Sequence, residues 1–161
     1  MARTPDIYWE DLLPGTVRDL GSVTTTAEAM IAFAQQFDPQ PFHVDEQAGQ
    51  ASIFGGLCAS GWFTCSVAMR LLVDNLFRYC AYMGSPGTES IKWLKPVYPG
   101  DTLSLRFTVL DSRPLRRRLD VGMVHATYEL FNQEGAKVLE VENYIMVGRR
   151  HPGEAPTEQG A

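Results

Sequence analysis

Cysteine and histidine are scarce in this chain, three of each in 161 residues. Cys58, Cys65 and Cys80 cannot all pair, and no basic, apolar, small-residue leader opens the chain, so reduced thiols in a cytoplasm are expected. No Cys–His pairing is visible, and the cysteines read as small core hydrophobes rather than nucleophiles. His43, His125 and His151 are dispersed, and His43-Val44-Asp45 alone is too little for a metal site, so no metal is expected. An excess of positive charge is also missing. Fourteen Lys and Arg against nineteen Asp and Glu give a formal charge of −5, which argues against nucleic acid as a partner. Nor is there a membrane span. No charge falls between Glu46 and Arg70, but that interval holds Gly49, Gly55, Gly56, Gly61, three serines, Gln47 and Gln50. A span needs about 20 predominantly apolar residues. The interval reads instead as a buried loop and helix.

What the chain does have is Asp38-Pro39-Gln40-Pro41-Phe42-His43-Val44-Asp45, a carboxylate and an imidazole five positions apart. Pro39 and Pro41 fix their own φ angles, remove two N–H donors and push Asp38 and Gln40 toward extended backbone. The expectation is a stiff, non-helical loop with Asp38 and His43 held in few orientations. A positioned acid–base pair is what proton transfer at carbon requires. The plainer alternative is an Asp cap and a surface His in a proline-rich turn.

The rest of the chain organises around that segment. Pro14-Gly15 is a turn signal, and 16–24 suits a short strand. Thr25-Thr26-Ala27-Glu28 has capping-box spacing before a helix over about 26–37, which delivers Asp38 at its end. A helical turn near 45–51 follows, with Asp45 as its cap. A longer helix over about 59–78 carries Trp62, Phe63, Val67, Ala68, Leu71, Leu72, Leu76 and Phe77, apolar nearly all round in its first turns and therefore expected to be buried on most sides. Gly84-Ser85-Pro86-Gly87 marks a break, after which the period changes to two. Ile91–Leu94 reads as a strand. Leu103, Leu105, Phe107 and Val109 alternate with polar residues, as do Leu139, Val141, Ile145 and Val147. Between them 117–131 is β-rich, and Asn132-Gln133-Glu134-Gly135 closes a hairpin. Consecutive antiparallel strands must cover their apolar face, and the long helix is the obvious partner. The fold class is therefore α+β, a curved antiparallel sheet wrapped around a central helix. One domain over 1–150 is expected, with periodicity lost from about 149 and a disordered tail over 151–161.

In element order and in three segments, the chain resembles the MaoC-like dehydratases, a hotdog-fold family that includes the (R)-specific enoyl-CoA hydratases. Asp38-Pro39-Gln40-Pro41-Phe42-His43 keeps the spacing of the family signature Asp-x-Asn-Pro-x-His. Ser52–Gly61 resembles the segment that enters the central helix, and Lys95-Pro96-Val97-Tyr98-Pro99-Gly100-Asp101 the turn into a long strand. The resemblance implies that Asp38 and His43 act on a water and on the substrate's α-proton, while the Gly61 N–H stabilises the thioester enolate. This would interconvert trans-2-enoyl and (R)-3-hydroxyacyl thioesters, with no cofactor beyond the coenzyme A or acyl carrier of the substrate. Phe42, Phe54 and Ser60 are the expected substrate-binding residues beside that centre. Arg113, Arg116, Arg117 and Arg118 form the one basic cluster, and Arg116 and Arg117 are candidates for the carrier's phosphates, the alternative being a solvated turn. A homodimer or dimer-based oligomer is implied as well.

Three positions depart from the family pattern. Gln40 stands for Asn, Ser60 for a His that commonly precedes the glycine, and Met69 for a Ser on the helix. None removes a proposed catalytic atom. A catalytically idle thioester-binding module is the rival class. A thioesterase is disfavoured because no carboxylate occurs from Gln47 to Met69, where such enzymes place one early in the helix.

Overall fold

A computed structural model describes residues 4–153. Five strands, β1 (Val17–Thr24), β2 (Tyr82–Trp93), β3 (Thr102–Pro114), β4 (Val121–Phe131) and β5 (Lys137–Gly148), form one antiparallel sheet in the order β1-β3-β4-β5-β2. The helices α1 (Ala27–Phe37), α2 (Pro41–Val44), α3 (Glu46–Ala51) and α4 (Gly61–Asn75) lie between β1 and β2 in the chain. The α4 helix packs over β1, β3 and β4.

The two-residue alternation decides which sheet face closes on α4. Leu103, Leu105, Phe107 and Val109 point inward with Val124, Ala126, Tyr128 and Leu130 of β4, and with Leu139, Val141, Ile145 and Val147 of β5, all buried. Ala68, Leu71, Leu72 and Leu76 meet them from the helix side. Burying each of the larger side chains contributes about 1.5–3 kcal/mol.

The sequence-based expectations need correcting in four places. Thr26, not Thr25, caps α1 by accepting from Ala29 N (3.2 Å), which leaves Glu28 at the second helical position and unable to close a capping box. Thr25 instead donates its hydroxyl to the Tyr98 carbonyl at 2.9 Å, tying α1 to the 98–101 turn. The β2 strand runs through Gly84-Ser85-Pro86-Gly87 rather than starting at 91. It tolerates this because it is an edge strand, where Pro lacks nothing needed on the open side, and because its register against β5 shifts at Gly84 and Gly87. The α4 helix, expected to be buried on most sides, leaves a broad stripe open. Trp62, Met69 and Val73 fall on one stripe and are 54%, 42% and 39% exposed, since the sheet of one chain covers a single side of the helix. Finally, the loss of periodicity from about 149 does not release Arg149 and Arg150 from the fold. The Arg149 guanidinium lies over the Trp9 ring, and Arg150 pairs with Asp11 (2.6 Å) in the Trp9–Asp11 3₁₀ turn. Of the tail expected over 151–161, residues 154–161 lie outside the described residues.

Candidate active site

Pro39 forbids α1 from continuing past Phe37, so Asp38 becomes its C-terminal cap residue with its side chain released toward α4. Gln40 is extended, as a residue before proline should be. The segment then departs from the expected non-helical loop. Pro41 starts the one-turn helix α2, a position where its missing N–H is not needed, and His43 sits in that turn. The turn faces His43 inward; only 6% of it is exposed. Asp45 follows as cap of α3, accepting from Ala48 N at 2.7 Å, as expected from the sequence.

His43 is fixed at its rear. Its Nδ1 lies 2.8 Å from the Cys58 carbonyl, which can only accept, so Nδ1 carries a proton, and in the neutral ring Nε2 presents a lone pair. That Nε2 faces Asp38 Oδ2 at 3.5 Å, a separation that leaves neither atom committed to the other. Asp38 is held from two sides, Oδ2 accepting from Ser60 Oγ at 2.7 Å and Oδ1 from Gln40 Nε2 at 2.9 Å. The Ser60 bond foremost, then the Gln40 bond and, when it is protonated, the neighbouring imidazole, hold its carboxyl below the usual carboxylate range against partial burial. Asp38 is therefore a carboxylate at neutral pH.

Ser60 caps α4, accepting from Trp62 N at 3.2 Å. The next residue, Gly61, opens the helix, and among the described backbone hydrogen bonds its N–H has no acceptor. A side chain at 61 would be crowded. A Cβ would come within 2.6–2.7 Å of the Trp93 indole, whose Nε1 donates to the Gly61 carbonyl at 2.9 Å. A free N–H at the positive end of a 15-residue helix favours an oxygen carrying negative charge.

Asp38, His43 and Gly61 all line a cleft of about 430 Å³, whose other walls include Phe42, Phe54, Trp62, Trp93 and Val97. The Phe42 and Phe54 rings touch at 5.2 Å between centroids. The 52–57 loop that carries Phe54 is pinned by Tyr98 Oη, which donates to the Phe54 carbonyl (2.7 Å), and it packs directly on Gly49, where a Cβ would lie 2.5 Å from Leu57 N.

Of the residues singled out in the sequence, Asp38, His43, Gly61, Phe42 and Phe54 converge on this cleft. Ser60 does not line it; fully buried, it stands behind Asp38. Arg116 and Arg117 are not near it either. They sit exposed in the β3–β4 turn, at the sheet end where Pro114 pairs with Gly122 and Tyr82 with Val147, whereas the cleft lies at the end where Trp93 pairs with Leu139. Met69 is exposed on α4 outside the cleft wall. One juxtaposition escaped the sequence reading. Cys58 Sγ lies 3.6 Å from His43 Nδ1, since an α2 residue and one fifteen positions later meet only through the fold. Burial pushes the Cys58 thiol up, and the imidazole proton is directed to a carbonyl, so the pair is not an activated nucleophile. Among the described residues no cluster of His, Cys, Asp and Glu could hold a metal, and no helix is long and apolar enough to cross a membrane.

A family model described as MaoC like domain matches residues 12–129. The chain belongs to the MaoC-like family. A MaoC-like dehydratase from Rhodospirillum rubrum, known from its crystal structure, superposes with a TM-score of 0.83 at 40% identity, covering 90% of this chain and 99% of that one. The Bacillus subtilis protein YdeM, itself uncharacterised, is 31% identical over 135 residues, 84% of this chain and 94% of YdeM. A mesaconyl-CoA hydratase from Cereibacter sphaeroides is 38% identical over 69 residues, 41% of this chain but only 20% of that protein. A Mycobacterium tuberculosis protein with a double hotdog fold aligns at 20% identity and a TM-score of 0.72, over 92% of this chain and 46% of that one, a likeness of fold alone. This MaoC-like chain thus has the hotdog fold: an antiparallel sheet around a central helix, α4.

Proposed function

We propose that this MaoC-like protein adds water to trans-2-enoyl thioesters and removes it from (R)-3-hydroxyacyl thioesters. The observation that carries the reading is the Asp38 Oδ2–His43 Nε2 pair, 3.5 Å apart in an apolar-walled cleft that is also lined by Gly61, whose N–H has no described backbone acceptor. In the hydration direction, a water donating to both groups gives one proton to His43 Nε2 while its oxygen bonds to C3 of the enoyl group. The imidazolium so formed is stabilised by the Asp38 carboxylate. Electrons displaced from the C2=C3 bond move to the thioester oxygen, where Gly61 N–H donates to the enolate. Return of the proton to C2 gives the 3-hydroxyacyl product and regenerates the pair. The oxyanion donor is worth about 3–4 kcal/mol of barrier, and the acid–base pair roughly 10²–10⁴-fold in rate. No group beyond the substrate's own coenzyme A or acyl carrier enters these steps.

The test is loss of enoyl-thioester absorbance with crotonyl-CoA and with longer and branched analogues. Conversion supports the reading. Release of free CoA at a matching rate would make the protein a thioesterase, and tight binding without conversion on every chain length would make it a binding module.

Assembly belongs to the same proposal. Among the described residues the β2 edge is unpaired on one side, Met83 of that strand is exposed, and an exposed apolar stripe on α4 starts at Trp62, whose ring lies 5.4 Å from that of Trp93 in β2, and continues through Met69 and Val73. An open edge next to an apolar stripe suits a second copy of the chain, joining two sheets. Light scattering should then give twice the chain mass at micromolar concentration, and Val73→Glu with Met69→Glu should shift it toward one chain. A monomer in the unsubstituted protein would contradict this assembly.

A further inference from the structure

We propose that Ser60 is a positioning residue of the proposed site, holding the Asp38 carboxylate on the imidazole and reserving the Gly61 N–H for the substrate. The inference rests on the hydratase reading for its kinetic consequence but not for its structural one. Ser60 is fully buried, so its hydroxyl cannot be satisfied by bulk water. Its single proton goes to Asp38 Oδ2 at 2.7 Å, the same oxygen that faces His43 Nε2. Its lone pair accepts from Trp62 N at 3.2 Å, the second N–H of α4. One hydroxyl therefore links the carboxylate to the helix start. Trp62 N–H is thus engaged inside the protein, while the N–H of Gly61, which lines the cleft, has no acceptor among the described backbone hydrogen bonds. Of the contacts that keep the Asp38 carboxyl ionised, the Ser60 bond is the largest. A side chain first expected to touch substrate thus acts through Asp38.

Two substitutions separate this role from ordinary helix capping. Ser60→Ala removes both bonds and is a poor cap, whereas Ser60→Gly removes both bonds but caps within a few tenths of a kcal/mol of Ser. If Ser60 positions Asp38, both variants lose kcat by a similar factor, about 10- to 100-fold for a lost bond to a charged group, with KM for crotonyl-CoA little changed. If it only caps α4, Ser60→Gly keeps wild-type kcat while Ser60→Ala loses thermal stability. The second readout needs no turnover. In carboxylate NMR of the resting protein, both variants should move the Asp38 titration to higher pH, because the ionised form loses its principal donor. An Asp38 titration unmoved in the folded Gly variant would overturn the proposal whatever the activity. A shifted titration in a protein without hydratase activity would uphold the positioning and sink only the assigned reaction.

Discussion

Asp38→Asn and His43→Ala each lower crotonyl-CoA hydration by about 10²–10⁴-fold with the fold retained, and the double variant is little worse than either. The reason lies in how the two groups share one task. His43 Nε2 takes the proton, but the imidazolium it becomes is stabilised by Asp38 Oδ2 at 3.5 Å. Asn keeps the shape and can still accept from Ser60, yet it offers no charge to the imidazolium. Ala at 43 leaves the carboxylate in place with no base beside it. Additive losses would mean two independent contributions and would contradict a shared water. The pH dependence follows from the Asp38 environment. Its folded-state carboxyl is depressed below the ordinary 3.8 by the Ser60 and Gln40 donors, so the carboxylate persists as pH falls until that lowered value is reached. The same depression adds stability above the unfolded carboxyl's range, lost as pH drops through the folded one. Asp38→Asn therefore removes activity at neutral pH and also flattens the acid side of the stability curve. Stopped-time assays and thermal melts between about pH 3 and 7 check both.

Much of this arrangement was readable before any coordinates, for identifiable physical reasons. Strand alternation such as Leu103, Leu105, Phe107 and Val109 is local and periodic, and each of these residues is buried in the sheet as read. The Asp38–His43 spacing was informative because two prolines restrict the backbone between them, although Pro41 uses that restriction to start a turn of helix rather than to prevent one. What stayed hidden depends on contacts between distant residues. The partner of Ser60 lies 22 positions away, and nothing near Ser60 in the chain signals that its hydroxyl serves a carboxylate. The Cys58–His43 approach was invisible for the same cause. Arg116 and Arg117 attracted attention by charge, but strand length decides where a turn sits, and thirteen residues of β3 carry theirs to the far end of the sheet. The α4 stripe misled for another reason. Apolar residues on every side of a helix promise burial without saying whether the same chain or another copy provides it.

Gly61→Ala should cost about 10²-fold in kcat while leaving the melting temperature nearly unchanged. An added Cβ meets Trp93 Nε1 at 2.6 Å and Cε2 at 2.7 Å, closer than packed atoms tolerate, so something must move. Trp93 is 47% exposed and can swing toward solvent, which is why stability suffers little. Swinging breaks the Nε1–H bond to the Gly61 carbonyl and withdraws the indole from the cleft wall. The Gly61 carbonyl then loses its partner, the backbone angles of Gly61 are no longer fixed from that side, and the N–H of the preceding peptide drifts, a displacement comparable in effect to losing one oxyanion donor. The clash makes the outcome separable from a general intolerance of alanine. In the Gly61→Ala, Trp93→Ala double variant the indole and its bond are already gone, so the methyl meets no clash and costs nothing further. Its kcat should match that of Trp93→Ala alone, and the coupling between the two positions should be large, as for residues in direct contact. Wild-type turnover in Gly61→Ala would place the oxyanion elsewhere, and equal, independent losses at both positions would show that the indole does not act through the glycine.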